Sequence, residues 1–185
     1  MNYHNITYPD QNNGDGLRIV LWVAGCEHHC VNCQNQQTWS PQSGIPFNEN
    51  AMNEILNELK KDYISGITFS GGDPLHPNNV QNVLKIVDEI RVSYPTKNIW
   101  LYTGYTWEEI WIKDKVKTGD RIKDMRQKAI KNLRRQVVKM CDVLIDGRYV
   151  DELRDVSLHW RGSSNQRVIN VQETLKQNKI ILWES

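Results

Sequence analysis

At 185 residues the chain is long enough for one domain with a real hydrophobic core, and too short for a complete (β/α)8 barrel of about 250 residues. Apolar content of 39% and charged content of 24% are ordinary for a globular protein, and no apolar run is long enough for a membrane span. The net charge of +1 hides an uneven distribution, because Lys113 to Lys139 carries eleven Lys/Arg against three Asp. Such a run is most often a solvated helix face and less often a nucleic-acid or acidic-protein surface. Met1-Asn2-Tyr3-His4 does not open a signal peptide, so a cytoplasmic location is expected. In that reducing compartment clustered cysteines bind metal or do redox chemistry more often than they form disulfides.

Residues 3 to 16 are polar and carry Gly14-Asp15-Gly16, which reads as a loop entering the first strand. Leu17 to Ala24 is nearly continuous in apolar residues, with Arg18 the exception, as in a buried parallel strand. The cysteine-rich stretch Gly25 to Cys33 follows at its C-terminal end, where α/β folds collect functional residues. A helix is expected from Asn48, which can cap it, with Phe47 and Met52 as a hydrophobic staple. Met52, Ile55, Leu56, Leu59 and Tyr63 give that helix one apolar face.

Ile64 to Phe69 reads as the second strand, running into Ser70-Gly71-Gly72-Asp73-Pro74-Leu75, and a helix follows Pro77. Ile99 to Tyr102 is a third strand ending in Thr103-Gly104-Tyr105, and Thr106 with Glu109 predicts a capping box. The basic segment is itself expected to be helical. Ile122, Met125, Ala129, Leu133, Val137 and Met140 recur every three or four residues, and Asp120 is placed to cap. Val143 to Ile145 is a further strand, leading to Asp146-Gly147-Arg148. Arg167 to Val171 and Ile180 to Trp183 are weaker strand candidates. Strands alternating with amphipathic helices imply an α/β fold with a mostly parallel sheet. One domain over residues 1–185, with a basic helical insertion at about 113–139, is the simplest organisation. Four strand ends would then share one rim.

Cys26, Cys30 and Cys33 fall within eight residues, and a fold does not need three thiols so close. A metal centre does, since its ligands must converge and a short loop fixes them at little entropic cost. Three thiolates without a fourth suggest a [4Fe-4S] cluster with one iron open. A zinc knuckle is the alternative, with His28 or His29 as fourth ligand. Cys141, between Met140 and a buried strand, reads as core packing.

The Cys-x3-Cys-x2-Cys spacing resembles the signature of the radical S-adenosylmethionine superfamily. Further motifs narrow the resemblance: Gly14-x-Gly16, Ser70 to Pro77, Trp100 to Tyr105, Leu144 to Tyr149 and Trp160 to Gln166 together look like the activating proteins of anaerobic ribonucleoside-triphosphate reductases. They run in order over most of the chain. The resemblance implies a partial, open TIM-like β/α barrel. It implies an oxidoreductase in which a reduced cluster cleaves S-adenosyl-L-methionine and the 5′-deoxyadenosyl radical takes hydrogen from a glycine of the large reductase subunit. An electron donor such as flavodoxin would serve it, and neither nucleic acid nor membrane enters the reading.

By the same resemblance Cys26, Cys30 and Cys33 hold the cluster and are the catalytic centre. Asn32, Cys33 and Gln34 line S-adenosylmethionine, Gly71 and Gly72 lie against its methionyl end, and Asp73 takes the acidic place in that motif. Asp146 and Arg148 fall near the methionyl carboxylate or a cation, although a surface turn with an ion pair explains them equally well. Asn32 replaces a common aromatic, and Asp15 replaces a proline between the early glycines. The basic segment, through Arg134 and Arg135, is expected to touch the reductase subunit. Two other readings remain at this point: a small-molecule enzyme of the same superfamily, as in modified-nucleoside biosynthesis, and a zinc-stabilised interaction module.

Overall fold

Side-chain caps start the helices where the sequence places them. Asn48 accepts from the Ala51 N–H at 3.1 Å, Asp120 from Ile122 and Lys123, and Thr106 and Glu109 exchange the reciprocal bonds of a capping box. The computed structural model describes residues 1–111 and 118–184. In chain order the elements are β1 (Asn2–Asp10), β2 (Leu17–Val23), β3 (Ile45–Pro46), α1 (Glu49–Leu59), β4 (Ile64–Gly71), α2 (Val80–Ser93) and β5 (Asn98–Tyr102). They continue with α3 (Trp107–Trp111), α4 (Arg121–Lys139), β6 (Val143–Asp146), β7 (Arg167–Asn170) and α5 (Val171–Gln177).

The strands form one open seven-stranded sheet in the order β3-β1-β2-β4-β5-β6-β7. β2, β4, β5 and β6 are parallel, so their C-terminal ends share one rim, and β1 and β7 flank them antiparallel. Side chains alternate across this sheet. Ile19, Leu21, Ile67, Phe69, Ile99, Leu101 and Leu144 enter a large core with α1, α2 and the C-terminal part of α4.

The opposite face has a smaller cluster of Trp100, Val143, Ile145 and Val168, with Trp160 and Trp183 edge-on to Trp100. Arg18 is fully buried there, stacked on Trp100 at 5.0 Å. Its guanidinium donates to the Thr68 hydroxyl, the Asp15 and Ile67 carbonyls and the Asn98 side chain. Burial lowers its pKa to about 10, and the hydrogen bonds are what make a buried cation tolerable. The one polar interruption of the first apolar run is therefore a floor for the inner face.

Four expectations are corrected. Residues 3 to 16 are not all loop: Asn2–Asp10 is a strand although only Ile6 is buried. It is formed for the backbone, because β2 needs partners along its outer edge, and a polar edge strand supplies them. The strand candidate at Arg167 to Val171 stops at Asn170, whose side chain caps an unforeseen helix by accepting from the Glu173 N–H at 3.1 Å. Ile180 to Trp183 lies along β7 through a single bridge from Leu182 to Ile169 and two flanking backbone bonds, not as a full strand. In α4, Ile122 and Met125 are 80% and 63% exposed, so the apolar stripe packs only from Ile130 onward. Of the basic segment, Lys113 to Lys117 lie outside the described residues.

Candidate metal centre and its rim

The loop after β2 is anchored by backbone on both sides. Gly25 N–H donates to Thr38 O at 2.7 Å and Cys26 N–H to Trp39 O at 3.0 Å, while Asp73 N–H donates back to Gly25 O at 2.8 Å. His29 and Asn32 take left-handed φ values of 48° and 54°, which lets the loop coil tightly around its thiols. Cys26, Cys30 and Cys33 are all free and half-buried. Burial pushes the Cys26 thiol up to about 12, and Cys30 and Cys33 add to that shift, so the three feel one another. Burial also raises Cys30, opposed by the Tyr149 backbone N–H and the Arg148 charge, which places the end of β6 against the cysteine loop. Cys141 is buried and hydrogen-bonded to the Val137 carbonyl, remote in role from the loop.

Both loop histidines are engaged within the chain. His28 Nε2 donates to Asp73 Oδ2 at 2.7 Å, and His29 stacks on Trp39 with ring centroids 4.7 Å apart. Among the described residues no three His, Cys, Asp or Glu side chains close on a single metal ion. A mononuclear zinc site needs four donors converging at about 2.0–2.3 Å. Three thiols on one loop without a fourth partner fit a four-iron cluster that leaves one iron free of protein.

Gly71, Gly72 and Asp73 sit against this loop. Gly71 has φ 102°, and a Cβ there would lie 2.7 Å from both Val23 N and Val23 O. At Gly72 a Cβ would lie 2.6 Å from Gly25 O. The paired glycines thus let β4 and the cysteine loop touch backbone to backbone. Asp73 is buried, and its oxygens accept from His28, from the Thr103 hydroxyl and from the Leu75 and Gly104 N–H groups. Its immediate partners are three rim loops.

Asp146 and Arg148 do not pair with each other. Asp146 is buried, accepts from the Trp107 N–H at 2.7 Å and is bonded by Arg167, which also reaches Glu108. Arg148 pairs with Glu109 at 3.0 Å. Asn32 is exposed and donates to Asp151 Oδ2 at 2.7 Å. Gln34 is exposed and lines a cavity of about 350 Å³ with Tyr102, Tyr149, Trp160 and Arg161. The Trp160 to Gln166 motif supports that side: Asn165 donates to Arg148 O, and Gln166 donates to Gly147 O.

Arg134 and Arg135 belong to the fold. Arg134 donates to Leu75 O and the Tyr105 hydroxyl and stacks on the Tyr105 ring at 3.7 Å, and Arg135 donates to Ile110 O and Trp111 O. Both guanidinium groups are thus engaged within the chain, at part-exposed positions. The Tyr105 hydroxyl also donates to Glu27, next to Cys26. The tie of His28 and Thr103 to Asp73, and that of Asn32 to Asp151, leave no mark in the sequence, since each joins residues far apart in the chain.

The family described as a 4Fe-4S single cluster domain matches residues 12–169. The anaerobic ribonucleoside-triphosphate reductase-activating protein of Escherichia coli K12 is 42% identical over 91% of this chain and 97% of its own length. The proteins of that name from Haemophilus influenzae and Enterobacteria phage T4 are 40% and 39% identical, over 90% and 91% of this chain and 96% and 93% of theirs.

Proposed function

Because the chain belongs to the family of anaerobic ribonucleoside-triphosphate reductase-activating proteins, with a 4Fe-4S single cluster domain, we propose that it arms such a reductase as a radical S-adenosylmethionine enzyme. The observation that carries this reading is the placement of three free, half-buried thiols on one loop at the rim shared by four parallel strands. The open sheet reads accordingly as a partial TIM-like barrel forming a single domain, its rim turned to the partner. The large glycyl-radical subunit is the partner, and a flavodoxin-type protein is the electron donor. No described helix is long and apolar enough to cross a membrane, and a cytoplasmic location suits this partnership.

Cys26, Cys30 and Cys33 would hold the cluster. When bound, it supplies one electron that splits a C–S bond of S-adenosylmethionine into methionine and a 5′-deoxyadenosyl radical, which takes a hydrogen atom from the partner's glycine. The chain's own residues bind and orient. Gln34, with Tyr102, Tyr149 and Trp160, walls a space large enough for a nucleoside beside the loop. Asn32 stands at the loop's exposed turn, and Gly71 and Gly72 keep the end of β4 close to the Val23 and Gly25 backbone. Asp146 and Arg148 act at the fourth strand end, Asp146 by fixing the start of α3 and Arg148 by its positive charge near Cys30. Arg18 and the tryptophans close the floor against water.

Anaerobic incubation of the reduced, iron-loaded protein with S-adenosylmethionine and the reductase subunit tests the reading. A glycyl-radical signal is expected by electron paramagnetic resonance, and Cys30→Ala should abolish it. Cofactor cleavage without any glycyl radical would sink the reading in favour of a small-molecule substrate.

A further inference from the structure

The buried pair His28–Asp73 sits inside the cysteine loop, yet neither member has an assigned part in holding the centre. We infer that this pair positions the cluster: it fixes the x3 spacer between Cys26 and Cys30 to the ends of β4 and β5, and so sets where two of the three thiolates point. The inference rests on the cluster reading above.

The two side chains are 4% and 2% exposed and meet at 2.7 Å. Both Asp73 oxygens already accept backbone N–H groups, Oδ1 from Leu75 at 2.8 Å and Oδ2 from Gly104 at 3.0 Å. A carboxylate in that setting offers only lone pairs, so the facing imidazole Nε2 is the donor. The Thr103 hydroxyl shares its one proton between the two oxygens, 2.9 Å from each. One carboxylate therefore gathers the loops that follow β2, β4 and β5.

The imidazole is boxed as well as bonded. Tyr105 lies edge-on at 4.5 Å between ring centroids. On another side Gly104 leaves room that no other residue would, since a Cβ there would fall 2.2 Å from His28 Cδ2. The other two spacer residues are held at the surface, Glu27 by the Tyr105 hydroxyl and His29 by stacking on Trp39. Glu27 is half exposed, and His29 is exposed with a left-handed backbone. His28 is thus the strut of the spacer, and both flanking cysteines inherit its position. Partners that orient ligands in this way commonly govern about 10–100-fold of metal affinity or activity.

Removing the imidazole leaves Asp73 with Thr103, Leu75 and Gly104 and the loop's backbone anchors in place, so the rim stays joined and only the x3 spacer loses its tie. That separates positioning from folding. The full-length chain is reconstituted anaerobically with iron and sulfide as wild type, His28→Ala, His28→Gln and Gly104→Ala. Iron and sulfide content, the paramagnetic resonance spectrum of the reduced cluster and the rate of iron loss to a chelator are then compared. His28→Ala and Gly104→Ala are expected to share an altered, broadened spectrum and to lose iron about tenfold faster. His28→Gln, which keeps an N–H at the reach of Nε2, is expected to restore both. A His28→Ala spectrum and iron-loss rate equal to wild type would overturn the proposal, as would a Gln variant indistinguishable from Ala. Wild-type protein that takes up zinc without sulfide would instead refute the cluster reading, and this proposal with it.

Discussion

Gly71 holds a left-handed backbone against the last residue of β2, and that contact fixes how near the two rim loops can come. An alanine there would combine a strained φ with a Cβ 2.7 Å from backbone atoms that cannot yield. Gly71→Ala should cost about 1–3 kcal/mol, seen as a lower urea midpoint at an unchanged slope. The glycine pair was legible in the sequence, but its reason was not: the near neighbour is the protein's own backbone. Glu108 offers a residue-scale test of charge. The Arg167 guanidinium holds its carboxyl down to about 2, below the ordinary 4.5. A depressed carboxylate stabilises the fold above pH 4.5, and that contribution is lost as pH falls toward 2. Because Glu108 is 47% exposed, solvent screens the pair and the loss is about 0.5 kcal/mol. Unfolding midpoints between pH 5 and pH 3 should fall less steeply in Glu108→Gln, and parallel profiles would count against the assignment.

Helix α4 divides into two halves with different jobs. Its C-terminal half is bound to the body by Arg134, Arg135 and the buried Val137 and Val138, and its N-terminal half leaves Ile122 and Met125 exposed. Arg134→Ala and Arg135→Ala should each destabilise by about 1–3 kcal/mol, because bonds from a charged donor to backbone carbonyls are lost. Lys123→Ala and Arg126→Ala, both exposed, should stay within about 0.5 kcal/mol. Thermal melts of the four variants check this, and equal losses would refute the division. The helix itself was readable from its cap and its period. The division was not, because apolar spacing gives a face and says nothing of how far along the helix a neighbour extends. Helix α5 and strand β1 escaped for related reasons: one is short and capped by an asparagine inside a strand-like run, and the other is polar and held by its backbone.

At the scale of the whole molecule, the alternation of strand and helix was enough to place four strand ends on one rim, since parallel neighbours joined by helices leave little choice. The cysteine spacing was equally plain, being local. What the rim loops hold on to was hidden, because each tie joins residues far apart: His28 with Asp73, Asn32 with Asp151, and Trp183 with Asp15 across 168 positions. These ties also impose an order in time. During synthesis at about 5–20 residues per second, the three thiols leave the ribosome well before Asp73, Tyr149 and Asp151 exist to fix their loop. The floor beneath them waits longer still, for Trp183 to reach Asp15. A metal ion or oxidant meeting the nascent chain finds flexible thiols and no site. Iron and sulfur delivered once these ties have formed would meet thiols on a loop already held in place.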